Sequence, residues 1–198
     1  MDKTLKDHYE YFTVNDAENS LSVGIFYKDG KLLYHTDYRL PFNRSHSRYQ
    51  NVKEFMGFIL SILMIARLEK APRGTRIKMK SDNMATTTWI RKNRANSVYA
   101  QIAFFVYVWV IIATGFIISE VEHIAGDSLE MEPIDGLSRD RIPLEFDTET
   151  FIKTTNDSLI DELFSLCNPS NDVEGDLPSC LDHMILMKKV VSLIRSIL

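Results

Sequence analysis

The chain has little cysteine: two residues in 198, Cys167 and Cys180. They lie near the C-terminus in a polar context and form no metal-ligand spacing, a usage expected of an intracellular protein. An apolar leader is missing as well, because MDKTLKDHYE contains no hydrophobic stretch, so no secretory signal is expected. Excess positive charge is missing too. The formal net charge is −4, which argues against a freely operating, nonspecific nucleic-acid binder. That total is unevenly spread. Residues 1–140 carry 18 Lys+Arg against 17 Asp+Glu, whereas residues 141–198 carry 5 against 10. The acidity belongs to the tail.

A membrane span is nearly but not quite present. Ile102–Ile118 runs 17 residues without a charge, close to the lower limit for crossing a bilayer. It contains Tyr107, Trp109, Thr114 and Gly115, and no basic cluster flanks it. The expectation is a buried helix running through Gly115 into a strand, with no membrane partner. There is no internal repeat. What remains is 45% hydrophobic and 11% aromatic, enough for a real core in one domain with an extension.

Along the chain, Tyr9–Val14 reads as a short strand followed by the turn-rich NDAENS. Leu21–Tyr27 and Lys31–Leu40 are joined by the hairpin signal Lys28-Asp29-Gly30-Lys31, and the third strand closes at Pro41. A polar loop, FNRSHSRYQN, leads into a helical period. There Val52, Phe55, Ile59, Ile62, Leu63 and Ala66 share a face, and Pro72-Arg73-Gly74 stops the helix. Ile77–Lys80 reads as a strand, Met84–Lys92 and Ser97–Thr114 as helices, and Ile117–Ile124 as a fifth strand. Pro133–Arg139 opens a last short helix of this region. The order β-β-β-α-β-α-α-β-α predicts a mixed α/β sheet with helices on its faces. Past Pro143 the composition turns acidic and Ser/Asn-rich, with helices expected at Asp157–Leu166 and Leu181–Leu198. The latter carries an apolar stripe, Leu181, Met184, Ile185, Met187, Val191, Leu193 and Ile194. That stripe needs a partner surface: this domain, a second copy or another protein.

Four acids fall where this topology can gather them. Asp16 ends strand one, Glu54 lies early in the first long helix, Asp82 ends strand four, and Asp135 opens the last short helix. Strands one and four are expected to be parallel neighbours, and ligands of α/β sheets collect outside carboxyl strand ends. Carboxylates clustered without a matching Lys or Arg are unfavourable unless a cation joins them. Hard oxygen donors suit Mg²⁺ or Mn²⁺. Each acid also has a plainer explanation: a turn residue for Asp16, helix-dipole complementation for Glu54, and helix caps for Asp82 and Asp135.

Taken together, Asp16-Ala17, Glu54, Ser81-Asp82-Asn83 with Ala85 and Trp89, His123-Ile124-Ala125-Gly126, and Asp135-Gly136-Leu137-Ser138-Arg139 form a pattern. It resembles the ribonuclease H domains of retrotransposon reverse transcriptases, with DIRS-type elements the nearest in flavour. The resemblance covers residues 9–140. It departs at Ala17-Glu18-Asn19, where that family usually places Ser or Thr, and the basic protrusion of some cellular ribonucleases H has no counterpart.

The resemblance implies an RNase H-like fold over residues 1–140, a mixed five-stranded sheet of three antiparallel strands followed by parallel ones. Residues 141–198, which the resemblance does not cover, are expected to be an acidic extension with one or two helices. The resemblance also implies hydrolysis of the RNA strand of an RNA–DNA hybrid, with two Mg²⁺ (or Mn²⁺) ions held by Asp16, Glu54, Asp82 and Asp135. Asn83 and Ser138 become candidate substrate or supporting contacts, and Arg91, Lys92 and Arg94 candidate phosphate contacts. Two other readings stay open. One is an inactive RNase H-like module acting in assembly, with a protein partner or self-association through the 181–198 helix. The other is a related nuclease or transposase-type enzyme using the same carboxylates on DNA.

Overall fold

Alternation and turn chemistry account for the first three strands of this computed structural model. It describes residues 9–18, 20–39, 47–95, 100–139, 141, 151–153, 158–167 and 180–198. β1 (Tyr11–Ala17), β2 (Leu21–Tyr27) and β3 (Leu32–Tyr38) form an antiparallel meander. At the hairpin between β2 and β3 Gly30 takes φ +86°, a conformation open to glycine at little cost, and the Lys31 amide donates to Asp29 Oδ1 at 2.9 Å. β1 runs further than its sequence suggests. Asn15, Asp16 and Ala17 read as a turn, yet they pair with Val23, Ser22 and Leu21. Pairing on a ready partner overrides the weak strand preference of Asn and Asp.

The remaining elements are α1 (Ser47–Leu68), β4 (Arg76–Ser81), α2 (Met84–Arg91), α3 (Gln101–Thr114), β5 (Ile117–His123), α4 (Glu132–Ser138), β6 (Phe151–Lys153), α5 (Ser158–Leu166) and α6 (Cys180–Ile197). The sheet order is β5-β4-β1-β2-β3-β6, with β4 parallel to both β1 and β5. Three antiparallel strands followed by parallel ones, with helices on both faces, is the RNase H-like architecture that the resemblance implies. β6 adds a sixth, three-residue strand parallel to β3. The predicted ends at Leu40–Pro41 and Ser97, the loop at 42–46 and the chain from Pro143 to 150 lie outside the described residues.

The two faces of the sheet are covered very differently. On one face α1 is buried all round from Val52 to Ile65, not along a single stripe. The reason is a second layer. Ala103, Val106 and Val110 of α3, Leu163 and Phe164 of α5, and Val190 and Ile194 of α6 join the same apolar cluster. Each fully buried large apolar side chain there stabilises the fold by roughly 1.5–3 kcal/mol. The predicted seam of α6 is thereby shifted. Val190, Leu193, Ile194 and Ile197 face this cluster, while Met184, Ile185 and Met187 are exposed. On the other face, among the described residues, α4 packs alone, with its Ile134 and the preceding Met131 against Phe12 and Val14 of β1. The lysines of β4 on that side are committed to acids: Lys78 Nζ lies 2.7 Å from Glu122, and Lys80 Nζ 2.6 Å from Glu130.

The uncharged run at 102–118 divides as expected into α3 and β5. Gly115, at φ +68°, ends the helix and its N–H caps Ile111 O at 2.8 Å. No helix of the described residues is long and apolar enough to cross a membrane.

Candidate metal centre

Three elements deliver one carboxylate each to the carboxyl end of the parallel strands. Asp16 comes from the end of β1, Glu54 from the second turn of α1, and Asp82 from the residue after β4. One oxygen of each lies within 4.8 Å of the other two. Glycine makes the approach possible. A Cβ at Gly57 would stand 2.7 Å from Asn15 Nδ2, so only glycine lets α1 close on β1 here. The same Asn15 Nδ2 then donates to the Glu54 carbonyl at 2.9 Å, locking the helix turn that carries Glu54. Gly126 also lies close beside Asp82, where a Cβ would stand 3.0 Å from Oδ2 and press on the carboxylate.

Asp82 is not a helix cap. That role belongs to Asn83, whose Oδ1 accepts from the Ala85 and Thr86 amides at 3.0 and 3.1 Å. Asn83 Nδ2 donates to Asn51 Oδ1 at 2.9 Å, which ties α2 to α1. The cap on the neighbouring residue leaves the Asp82 carboxylate at the cluster. His123 Nε2 donates to the Asp82 carbonyl at 2.9 Å and holds the backbone from the β5 side.

Asp16 and Glu54 are buried, at 7% and 4% exposure, and Asp82 is half-buried. Burial raises the Glu54 carboxyl well above its ordinary range, and the charges of Asp16 and Asp82 push it further. Asp16 is raised by burial against the opposing pull of the hydrogen bond from Ser138 Oγ. Asp82 is raised by burial and then by Asp16. Among the described residues no lysine or arginine pairs with any of the three. Glu54 Oε2 is also buried without a hydrogen-bond partner there. Crowded, unneutralised oxygens with an orphaned buried atom are the donor set a hard divalent cation fits, and no nitrogen or sulfur ligand intrudes.

Asp135 is not one of the three clustered groups. Its Oδ1 is held by Arg139 at 2.7 Å, and its charge still reaches the cluster, adding to the upward push on Asp16 and Asp82. Ser138 is fully buried and reaches Asp16 directly. Arg91 Nε and a terminal nitrogen donate to the Val121 carbonyl at 2.9 and 2.6 Å, so this guanidinium fastens α2 to β5. Lys92 and Arg94 are exposed at the end of α2.

Sequence reasoning passed over Gln50. Its Nε2 donates to Glu54 Oε1 at 3.0 Å and to the Ala17 carbonyl next to Asp16, bracing two of the three carboxylates at once. The available signal was its position four residues before Glu54, one helical turn away. Asn15 and Gly57 carried no comparable signal, since their roles depend on approach between elements distant in sequence; Gly126 stood in the His123-Ile124-Ala125-Gly126 motif, but its closeness to Asp82 is visible only in the fold.

No family model matches this chain, and no curated protein does. Among solved structures it is similar to the N-terminal RNase H domain of a Mycobacterium tuberculosis protein, determined as a fusion with maltose-binding protein. The identity is 13% and the TM-score 0.48, over 67% of this chain and 99% of that one.

Proposed function

We propose that this protein is a ribonuclease H-type endonuclease that hydrolyses the RNA strand of RNA–DNA hybrids. The observation carrying the reading is the cluster itself: Asp16, Glu54 and Asp82, drawn from three elements, one oxygen of each within 4.8 Å of the others, and without a cationic partner among the described residues. Asp16, Glu54 and Asp82 would hold Mg²⁺ or Mn²⁺, with Asp135 at the margin. Bound divalent ions supply water activation and charge stabilisation for phosphodiester hydrolysis.

The chain's own residues prepare that site. Gln50 fixes Glu54 Oε1, and Ser138 fixes the Asp16 carboxylate. Arg139 holds Asp135 to one side. Asn83 and Arg91 serve the frame, so phosphate contact falls to Lys92 and Arg94 on the exposed end of α2. With basic and acidic residues nearly balanced over residues 1–140, recognition rests on the shape of the hybrid and on 2′-hydroxyl contacts. The run from Asp16-Ala17 through Ser81-Asp82-Asn83 to Asp135-Gly136-Leu137-Ser138-Arg139 supports an origin in a retroelement reverse transcriptase.

The test is cleavage of a labelled RNA–DNA hybrid in Mg²⁺ or Mn²⁺, with Asp82→Asn as control. Cleavage by the wild type alone supports the reading. Equal inactivity of both at high enzyme concentration sinks it. The second reading, a non-cutting assembly module, draws support from the apolar surface that α6 leaves exposed.

A further inference from the structure

On the outer layer, Trp109 of α3 and one face of α6 border a groove of about 450 Å³. Trp109, Met187 and Val191 line it, and it continues past Ile112 and Ala113. Ile112 is 53% exposed and Met187 38%, unusual for such side chains on the same concave surface. The groove lies beside the start of β5, at the opposite end of the sheet from Asp82. Its charge is one-sided. The α3 wall belongs to the uncharged run 102–118, while the α6 wall presents Lys188 and Arg195. Neither cation forms an ion pair with a described residue. Lys189, the neighbour that points elsewhere, pairs with Glu162 at 2.9 Å.

We propose that this groove docks an amphipathic helix of a protein partner, with its apolar seam on Trp109, Ile112, Met187 and Val191. Acidic residues on only one flank of that helix meet Lys188 and Arg195. Trp, Met and Arg are the residue types enriched in such contacts, and a groove between two helices is the shape that receives a helix by its i, i+3, i+4, i+7 face. The two cations stand seven residues apart on α6, roughly 10 Å along its axis, so the matching carboxylates sit about two turns apart on the guest. A second copy of this chain is disfavoured, because a two-fold contact would set Lys188 and Arg195 of each copy against those of the other. A bilayer surface is disfavoured by the concavity.

The test uses the full chain and a displayed library of helical peptides of roughly 18 residues, about five turns. Each peptide has a fixed leucine seam and randomised flanks, and is selected on wild type and counter-selected on Ile112→Glu. Enriched peptides should carry Asp or Glu on one flank, two turns apart. Their affinity should fall at least about tenfold with Met187→Glu and with the double reversal Lys188→Glu, Arg195→Glu. It should return to the reversed protein when the peptide acids become lysines. Ile112 and Met187 are exposed, so melting temperatures should not move; metal binding at the carboxylates should also be unchanged. Three results would overturn the proposal: no enrichment over the counter-target, enriched flanks without acidic bias, or binding indifferent to the charge reversal. Self-association in sedimentation, or recruitment to phosphatidylserine vesicles, would equally overturn it if Ile112→Glu abolished the effect.

Discussion

Two glutamates at opposite ends of α1 show how one side chain type serves opposite ends. Glu69, just past the last turn, is surrounded by donors from three adjacent strands. Tyr34 donates to its Oε1 at 2.6 Å, and Tyr27 and, more distantly, Tyr11 donate to Oε2 at 3.1 and 3.5 Å. Hydrogen bonding to Glu69 pushes Tyr34 up to about 12, and burial followed by Glu69 does the same for Tyr11. Glu54, near the start of the helix, has the reverse environment: two neighbouring carboxylates, one donor in Gln50, and Oε2 unpartnered among the described residues. A carboxylate oversupplied with donors is a fastening that ties helix to sheet. A carboxylate starved of them costs the apo fold stability, and the arrangement makes sense only with a cation.

The sharpest way to break this contrast is Glu54→Gln. It should lower hybrid cleavage by roughly 10²–10³-fold or more, the scale of losing one preorganised electrostatic partner. It should also raise the melting temperature of the metal-free protein at pH 8, because it removes the most strongly raised carboxyl. A fall in melting temperature would contradict the repulsion argument.

Next in size are the braces. Ser138→Ala and Gln50→Leu should each weaken Mn²⁺ affinity, read by electron paramagnetic resonance, and cleavage about 10–100-fold, as supporting partners of metal ligands do. An unchanged metal affinity would reduce them to packing residues.

Metal and pH sharpen the contrast further. The raised carboxyls of Asp16, Glu54 and Asp82 bind protons more tightly folded than unfolded. Their contribution is therefore fully present below the ordinary carboxylate range and is lost as pH rises through the raised values. The share of apo stability that these three carry should fall from pH 4 to pH 8 over that window, read as the difference from a variant with Asp16→Asn, Glu54→Gln and Asp82→Asn. Divalent metal should reverse the loss: at about 100 times its Kd it adds about 2.7 kcal/mol, or roughly 5–10 °C for a chain of this size. The metal-induced shift should shrink at low pH, where protons hold the ligands. A shift equal at both extremes would contradict the linkage.

The smallest effect belongs to the satisfied end. Glu69→Gln or Tyr34→Phe should cost about 1 kcal/mol, visible as roughly 2–4 °C in melting temperature, and leave cleavage unchanged.

Strand alternation, the Asp29-Gly30 turn and the Gly115 stop are local signals, so most elements and the parallel pairing of β1 with β4 were legible in advance. Long-range effects were not. Asn15–Ala17 looks like a turn and becomes strand because β2 supplies its ladder. α1 looks one-sided and is buried all round because elements more than 30 residues away fold over it. Asp82 looks like a cap until Asn83 is seen taking both amides.

By itself, then, the sequence determined the order of strands and helices, the residues with metal-binding chemistry and the net charge of −4, because these are read along the chain. Only the tertiary structure decided which acids meet, which lysines and arginines are already engaged, and what braces the site. Those outcomes depend on distances between elements far apart in sequence. The close approach of Gly57 to Asn15, which draws Glu54 toward Asp16, is set by packing that no local pattern records.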